Sequence, residues 1–127
     1  MARKKILIVE DDRVNLKLAR DVLQDNGYET EEVTNGEEAV VRAAQFKPDL
    51  IVMDIRLPGI DGLEATRRLK GDPATTSIPI IAVTAHAMPG DKSRILEAGC
   101  QAYLSKPLDF DEFESIVKSL LGDTEIT

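Results

Sequence analysis

The sequence predicts an α/β domain in which a parallel sheet is covered by helices on both faces, and three observations lead there. Short, unbroken apolar runs recur, longer stretches of helical period separate them, and no repeat or linker interrupts the alternation. The runs Ile6-Leu7-Ile8-Val9, Leu50-Ile51-Val52-Met53 and Ile80-Ile81-Ala82-Val83 are bounded by polar residues or proline. Continuous branched runs of this length suit strands buried on both faces, whereas a half-exposed strand would alternate. Two weaker strands are expected over Glu29–Val33, which is largely polar, and Ala102–Ser105, which is very short. Strands of that quality belong at sheet edges, where one side meets water.

Leu16, Ala19, Val22 and Leu23 form a first helical stripe, ended by Asn26-Gly27. Ala39, Val40 and Ala43 form a second, opened by Asn35-Gly36 and closed at Lys47-Pro48. A third carries Leu63, Thr66 and Leu69 and stops at Gly71-Asp72-Pro73. The fourth, over 88–98, has only a thin apolar face and ends at Gly99. In the last, Asp109 caps the helix, Glu112 stands where a capping box needs it, and Leu108 can staple to Phe113. Phe113, Ile116, Val117 and Leu120 supply its buried stripe. Five β–α units with right-handed crossovers and weak second and fifth strands at the edges give the order 2-1-3-4-5. That is a flavodoxin-like (βα)5 doubly wound parallel sheet, whose ligands bind beyond the carboxyl ends of the strands.

A chain of 127 residues, 43% apolar and 31% charged, supports one hydrophobic core, so a single domain over 1–127 is expected. The last predicted helix ends close to Thr127, and no output domain is expected after it. A net charge of −7 disfavours a nucleic-acid partner, which would call for clustered Lys and Arg. Cys100 is the only cysteine, so no internal disulfide forms. The basic Arg3-Lys4-Lys5 precedes an apolar run too short for a signal peptide or a membrane span, which makes a cytoplasmic location the expectation.

The polar residues that follow the strands converge on one rim of such a sheet. Glu10, Asp11 and Asp12 follow the first strand, Asp54 the third, Thr84 the fourth and Lys106 the fifth. The first and third strands are neighbours about 4.8 Å apart, which sets the acidic run beside Asp54. Carboxylates so close stay ionised only with a compensating cation. A few carboxylate oxygens with room for water suit Mg2+, and the cation lowers the cost of bringing a phosphoryl group to an anionic nucleophile. Asp54 can then form an aspartyl-phosphate, with Lys106 neutralising one phosphoryl oxygen and Thr84 donating to another.

These residues resemble the receiver domain of two-component response regulators, and the likeness covers essentially the whole chain. It rests on Ile6-Leu7-Ile8-Val9-Glu10-Asp11-Asp12, Met53-Asp54 with Leu57-Pro58-Gly59-Ile60-Asp61-Gly62, Val83-Thr84-Ala85, Tyr103, and Lys106-Pro107. Each segment alone is a weak signal, but five in order at strand ends are a strong one. Small stand-alone receivers of the division-control and relay type look most similar. The resemblance implies that Asp54 accepts phosphate from a phosphohistidine on a sensor histidine kinase or histidine phosphotransfer protein. Glu10, Asp11, Asp54 and the backbone carbonyl of Arg56 would hold Mg2+. Thr84 and Tyr103 would form the switch pair, and a cis bond before Pro107 would aim Lys106. Arg56, Ala85 and His86 would flank the phosphoryl position, tuning its lifetime and access. The implied output is protein contact through the face of the fourth helix, fifth strand and fifth helix, by a monomer or by a dimer formed on phosphorylation. No enzyme activity is implied beyond the chain's own phosphorylation and dephosphorylation. The first acid is Glu10 where many receivers carry Asp, so direct and water-bridged metal contact both remain open.

Simpler roles exist for each residue taken singly. The acidic run can be a solvated loop or an N-cap for the first helix, and Asp61-Gly62 resembles a turn. Thr84 alone would be a strand or capping residue, Lys106 a surface lysine, Tyr103 half-buried packing and Cys100 small apolar filling. His86 follows a strand as loop, whereas a relay histidine should stand exposed on a helix. An aspartyl-nucleophile phosphatase would need D-x-D after the first strand, and a topoisomerase-primase site would need D-x-D where Asp54-Ile55-Arg56 stands. An FMN carrier would need a Ser, Thr and Gly loop where this chain is acidic. A docking module of the same fold that is never phosphorylated is the alternative, and the intact set of acids, Thr84 and Lys106 disfavours it.

Overall fold

The computed structural model describes residues 3–85 and 90–122. Strands and helices alternate throughout: β1 (Lys5–Val9), α1 (Arg13–Asp25), β2 (Glu29–Val33), α2 (Gly36–Phe46), β3 (Leu50–Asp54), α3 (Gly62–Lys70), β4 (Ile80–Thr84), α4 (Asp91–Ala98), β5 (Ala102–Ser105) and α5 (Phe110–Leu121). All pairings are parallel, in the order β2-β1-β3-β4-β5. Every residue of β3 and β4 is buried, while β2 and β5 keep exposed positions. The predicted division into apolar central strands and polar edges is therefore the observed one.

Strand alternation sorts the apolar residues into a core on each face. Leu7, Val9, Ile51, Met53, Ile80 and Ala82 meet Ala39, Ala43, Leu63, Leu69 and Ile95 from α2, α3 and α4. Ile6, Ile8, Leu50, Val52, Ile81 and Val83 meet Ala19, Leu23, Phe113 and Val117 from α1 and α5. The predicted stripe of α5 extends to Leu121, which is buried, whereas Ile116 and Leu120 are only partly so.

Four helices begin at a side-chain cap that accepts backbone N–H groups: Asp12, Asn35, Asp61 and Asp109. Asp12 is thus committed to α1, and the acidic run supplies the rim with Glu10 and Asp11. The turn expected at Asp61-Gly62 is instead the start of α3, because Asp61 accepts from Glu64 N–H at 2.8 Å. Only α4 lacks a side-chain cap among the described helices; Gly90 precedes it with φ +91°. Its described helix starts at Asp91, and residues 88 and 89 of the predicted span lie outside the described residues.

Candidate functional site

Val9 lies opposite Met53, so Glu10 and Asp54 leave neighbouring strands at the same rim. By alternation both side chains fall on the α1 and α5 face, continuing Ile6-Ile8 and Leu50-Val52. Glu10 is 7% exposed and Asp54 4%, which would be costly for adjacent carboxylates without a cation. Lys106 supplies one. Its Nζ stands 2.9 Å from Glu10 Oε1 and 3.2 Å from Asp54 Oδ2. The remaining oxygens face amides: Arg56 N–H donates to Asp54 Oδ1 at 3.1 Å, and Asp12 N–H to Glu10 Oε2 at 3.2 Å. Lys106 is aimed by its own backbone, whose N–H donates to Thr84 O at 2.8 Å, and the bond to Pro107 is cis. The cis bond expected from the resemblance is present, and the lysine is shared between both acids rather than reserved for one.

The electrostatics record this crowding. Burial pushes the Glu10 carboxyl up to about 7, helped by its hydrogen bond to Asp54 and that group's charge, and only partly opposed by Lys106 and the Asp12 amide. Burial pulls Lys106 down, but its hydrogen bond to Glu10 and the charges of both acids outweigh it, so the ammonium sits above its usual range. Asp11 is exposed, yet one oxygen from each of Glu10, Asp11 and Asp54 falls within 4.8 Å of the others. Three carboxylates served by one ammonium leave negative charge and hard oxygen donors, a set that fits a hard divalent cation.

Behind Asp54 the backbone is tight. A Cβ on Gly62 would lie 2.3 Å from the Asp54 carbonyl oxygen, and the Gly62 N–H donates to Ile55 O at 2.8 Å. Gly62 therefore anchors α3 against the end of β3, a constraint its place after an acidic cap does not announce. A cavity of about 100 Å3 opens below the rim between apolar walls that include Ile8, Val52, Val83 and Phe110, with Asn15 and Lys106 also lining it. Sequence patterning gave no sign of it.

Thr84 is buried at the end of β4, opposite Ser105, and Ala82 is opposite Tyr103. Tyr103 is partly buried against the α2, α3 and α4 core. Thr84 and Tyr103 thus share the face opposite Glu10 and Asp54. Ala85 and Arg56 are exposed beside the rim, whereas His86 lies outside the described residues. Cys100 is buried, with burial pushing its thiol up, and fills space near Thr66 Oγ1 at 3.8 Å. No described helix is long and apolar enough to cross a membrane.

Comparisons with known proteins meet this geometry from outside. The polar-differentiation response regulator DivK of Brucella anthropi is 51% identical over 120 residues, covering 94% of this chain and 98% of that protein. The DivK protein of Brucella ovis is 50% identical over the same length. The receiver domain of a sensor histidine kinase from Pseudomonas aeruginosa, solved with a magnesium ion coordinated in its active site cleft, superposes with a TM-score of 0.88 at 39% identity, covering 95% of this chain and 99% of that one. A CheY-like receiver domain from Methanospirillum hungatei gives 0.89 at 28% identity, covering 96% of each. Residues 6–118 match the family described as the response regulator receiver domain. The acids, lysine and threonine gathered at the rim belong to a chain of that family, the phosphorylated signalling module of two-component systems.

Proposed function

We propose that Asp54 is the phosphoacceptor of this receiver. The observation that carries the reading is the buried Asp54 carboxylate held between the Lys106 ammonium and the Arg56 amide, with Glu10 and Asp11 donors within 4.8 Å. In the transfer, an Asp54 oxygen forms a bond to phosphorus as the P–N bond of a partner's phosphohistidine breaks, its electron pair leaving with the imidazole. Glu10, Asp11, Asp54 and the Arg56 carbonyl would hold Mg2+, which when bound offsets charge between the acids and the phosphoryl group. Lys106 keeps one positive charge at the acceptor throughout, and Asp12 N–H holds the Glu10 carboxylate facing it. The exposed Ala85 leaves open the approach to the rim. Arg56, and His86 that follows Ala85 in the sequence, are the residues we assign to tuning phosphoryl lifetime. The donor is a sensor histidine kinase or a histidine phosphotransfer protein, met in the cytoplasm.

Thr84 and Tyr103 carry the signal across the sheet. A phosphoryl group adds roughly two negative charges, and the Thr84 hydroxyl moves to donate to it, making room for Tyr103 to turn inward. Shifting a two-state equilibrium from 1:99 to 99:1 takes about 5.5 kcal/mol. New charge-assisted hydrogen bonds contribute about 1.5–3 kcal/mol each, so two or three suffice. The surface changed is that of α4, β5 and α5, where a protein target docks. Intact mass after incubation with Mg2+ and acetyl phosphate tests the acceptor: we expect a gain of about 80 Da, one phosphoryl group. An adduct that survives Asp54→Ala would sink the assignment.

A further inference from the structure

The β3–α3 connection carries the Arg56 peptide that touches Asp54, and its far end is tied by a residue the site does not contain. Glu37, in the first turn of α2, accepts the Ile60 N–H on Oε2 at 3.1 Å. The contact links segments 23 positions apart in sequence. Both surfaces are shaped for it. Gly59 has φ +76°, and a Cβ there would lie 2.5 and 2.7 Å from the two Glu37 oxygens. A Cβ on Gly36 would lie 2.6 Å from both Ile60 Cγ1 and Ile60 O, so α2 can press onto the loop only with glycine at that position. Glu37 takes part in none of the ion pairs among the described residues, and the loop amide is the partner that orients its carboxylate.

The loop is thus pinned twice. Gly62 N–H donates to Ile55 O at 2.8 Å, joining the two ends of the connection directly behind Asp54. Glu37 holds it from outside at Ile60. Between the pins Leu57 leans on the core, while Arg56, Pro58 and Gly59 are exposed. Arg56 N–H reaches Asp54 Oδ1 at 3.1 Å from this span. We propose that Glu37 is a positioning residue: by accepting from Ile60 it keeps the Arg56 peptide in place beside Asp54, and with it the cation end of the site. The proposal rests on the metal and acceptor assignment above.

Calorimetric Mg2+ titration of the full chain tests it, joined to hydrogen exchange at the Ile60 amide in the metal-free protein. Glu37→Ala is expected to weaken Mg2+ binding about two- to tenfold, the range one exposed hydrogen bond supporting a ligand peptide can produce. Its Ile60 amide exchanges faster. Glu37→Gln keeps an acceptor oxygen without the charge and stays within about twofold of the unsubstituted chain. With acetyl phosphate, Glu37→Ala needs more Mg2+ for half-maximal Asp54 modification but reaches the same plateau rate. Equal Mg2+ affinity in Glu37→Ala and the unsubstituted chain overturns the role of Glu37 alone. So does a Glu37→Gln chain as weak as Glu37→Ala, since charge rather than the accepted hydrogen bond would then matter. An unsubstituted chain that takes up no Mg2+ defeats the metal assignment itself, and the role of Glu37 with it.

Discussion

The two faces of the sheet meet the same rim but are built to different standards. On the α1 and α5 side, Glu10, Asp54 and Lys106 satisfy one another at 2.9 and 3.2 Å, and α5 is capped by Asp109 on two amides while burying Phe113, Val117 and Leu121. On the other side, α4 is eight residues long, has no side-chain cap, and buries only Ile95 and Ala98. A short helix held by two apolar contacts opens at lower free energy than one anchored at its start and along its whole face. The chemistry we propose needs fixed carboxylates, and within the output surface we propose, α4 is the element built to move.

The firmest test of the fixed half removes its counter-ion. Lys106→Ala leaves buried carboxylates without an ammonium, and near pH 8 the metal-free chain should lose about 3 kcal/mol of stability, read by urea unfolding. Near pH 5 the loss shrinks, because Glu10 then carries a proton and the ammonium is opposed by less charge. An equal loss at both pH values would show that Lys106 acts through packing of its stem rather than through charge.

Glu10 gives the next largest effect. Its carboxyl is raised by burial from an ordinary 4.5 to about 7, so the folded chain holds a proton that the unfolded chain releases sooner. The stabilisation is complete below about 4.5 and is lost as pH rises through about 7. Metal-free stability should therefore fall across that window, and Glu10→Gln should flatten the fall. Mg2+ requires the ionised form, so its affinity should rise across the same window with proton release, measurable by calorimetry in buffers of different ionisation heat. A pH-independent affinity would mean that Glu10 stays outside the cation's reach.

How much of this was legible in the sequence depends on what each feature needs. Periodicity and branching suffice for β3 and β4, because burial on both faces leaves an unbroken apolar run. The topology then brings Glu10, Asp54, Thr84 and Lys106 to one rim without any distance being known. What stayed hidden depends on reach between atoms far apart in sequence. Lys106 touching Glu10 and Asp54 together is set by the path of the β5–α5 connection, not by residue type. Gly62 against Asp54 O, and Glu37 on Ile60, are close approaches that a pattern of apolar positions does not encode. The Asp61-Gly62 pair shows the ambiguity in small: an aspartate accepting nearby amides can begin a turn or a helix, and the apolar stripe behind it decided for the helix.

The two helices also differ at their first turns. Asp109 accepts from Asp111 and Glu112 N–H at 3.0 and 3.2 Å, so Asp109→Ala should cost about 1 kcal/mol of global stability. Helix α4 has no such cap to lose, so the informative change there is one that strengthens it. Ser93 is exposed within α4, and Ser93→Ala raises helix propensity by about 0.5 kcal/mol without touching the core. If α4 opens locally, that increment should appear as slower amide exchange confined to α4, with α5 amides and the urea midpoint almost unmoved. If instead both helices slow together, α4 unfolds only with the whole domain, and the asymmetry between the two faces is one of packing alone rather than of motion.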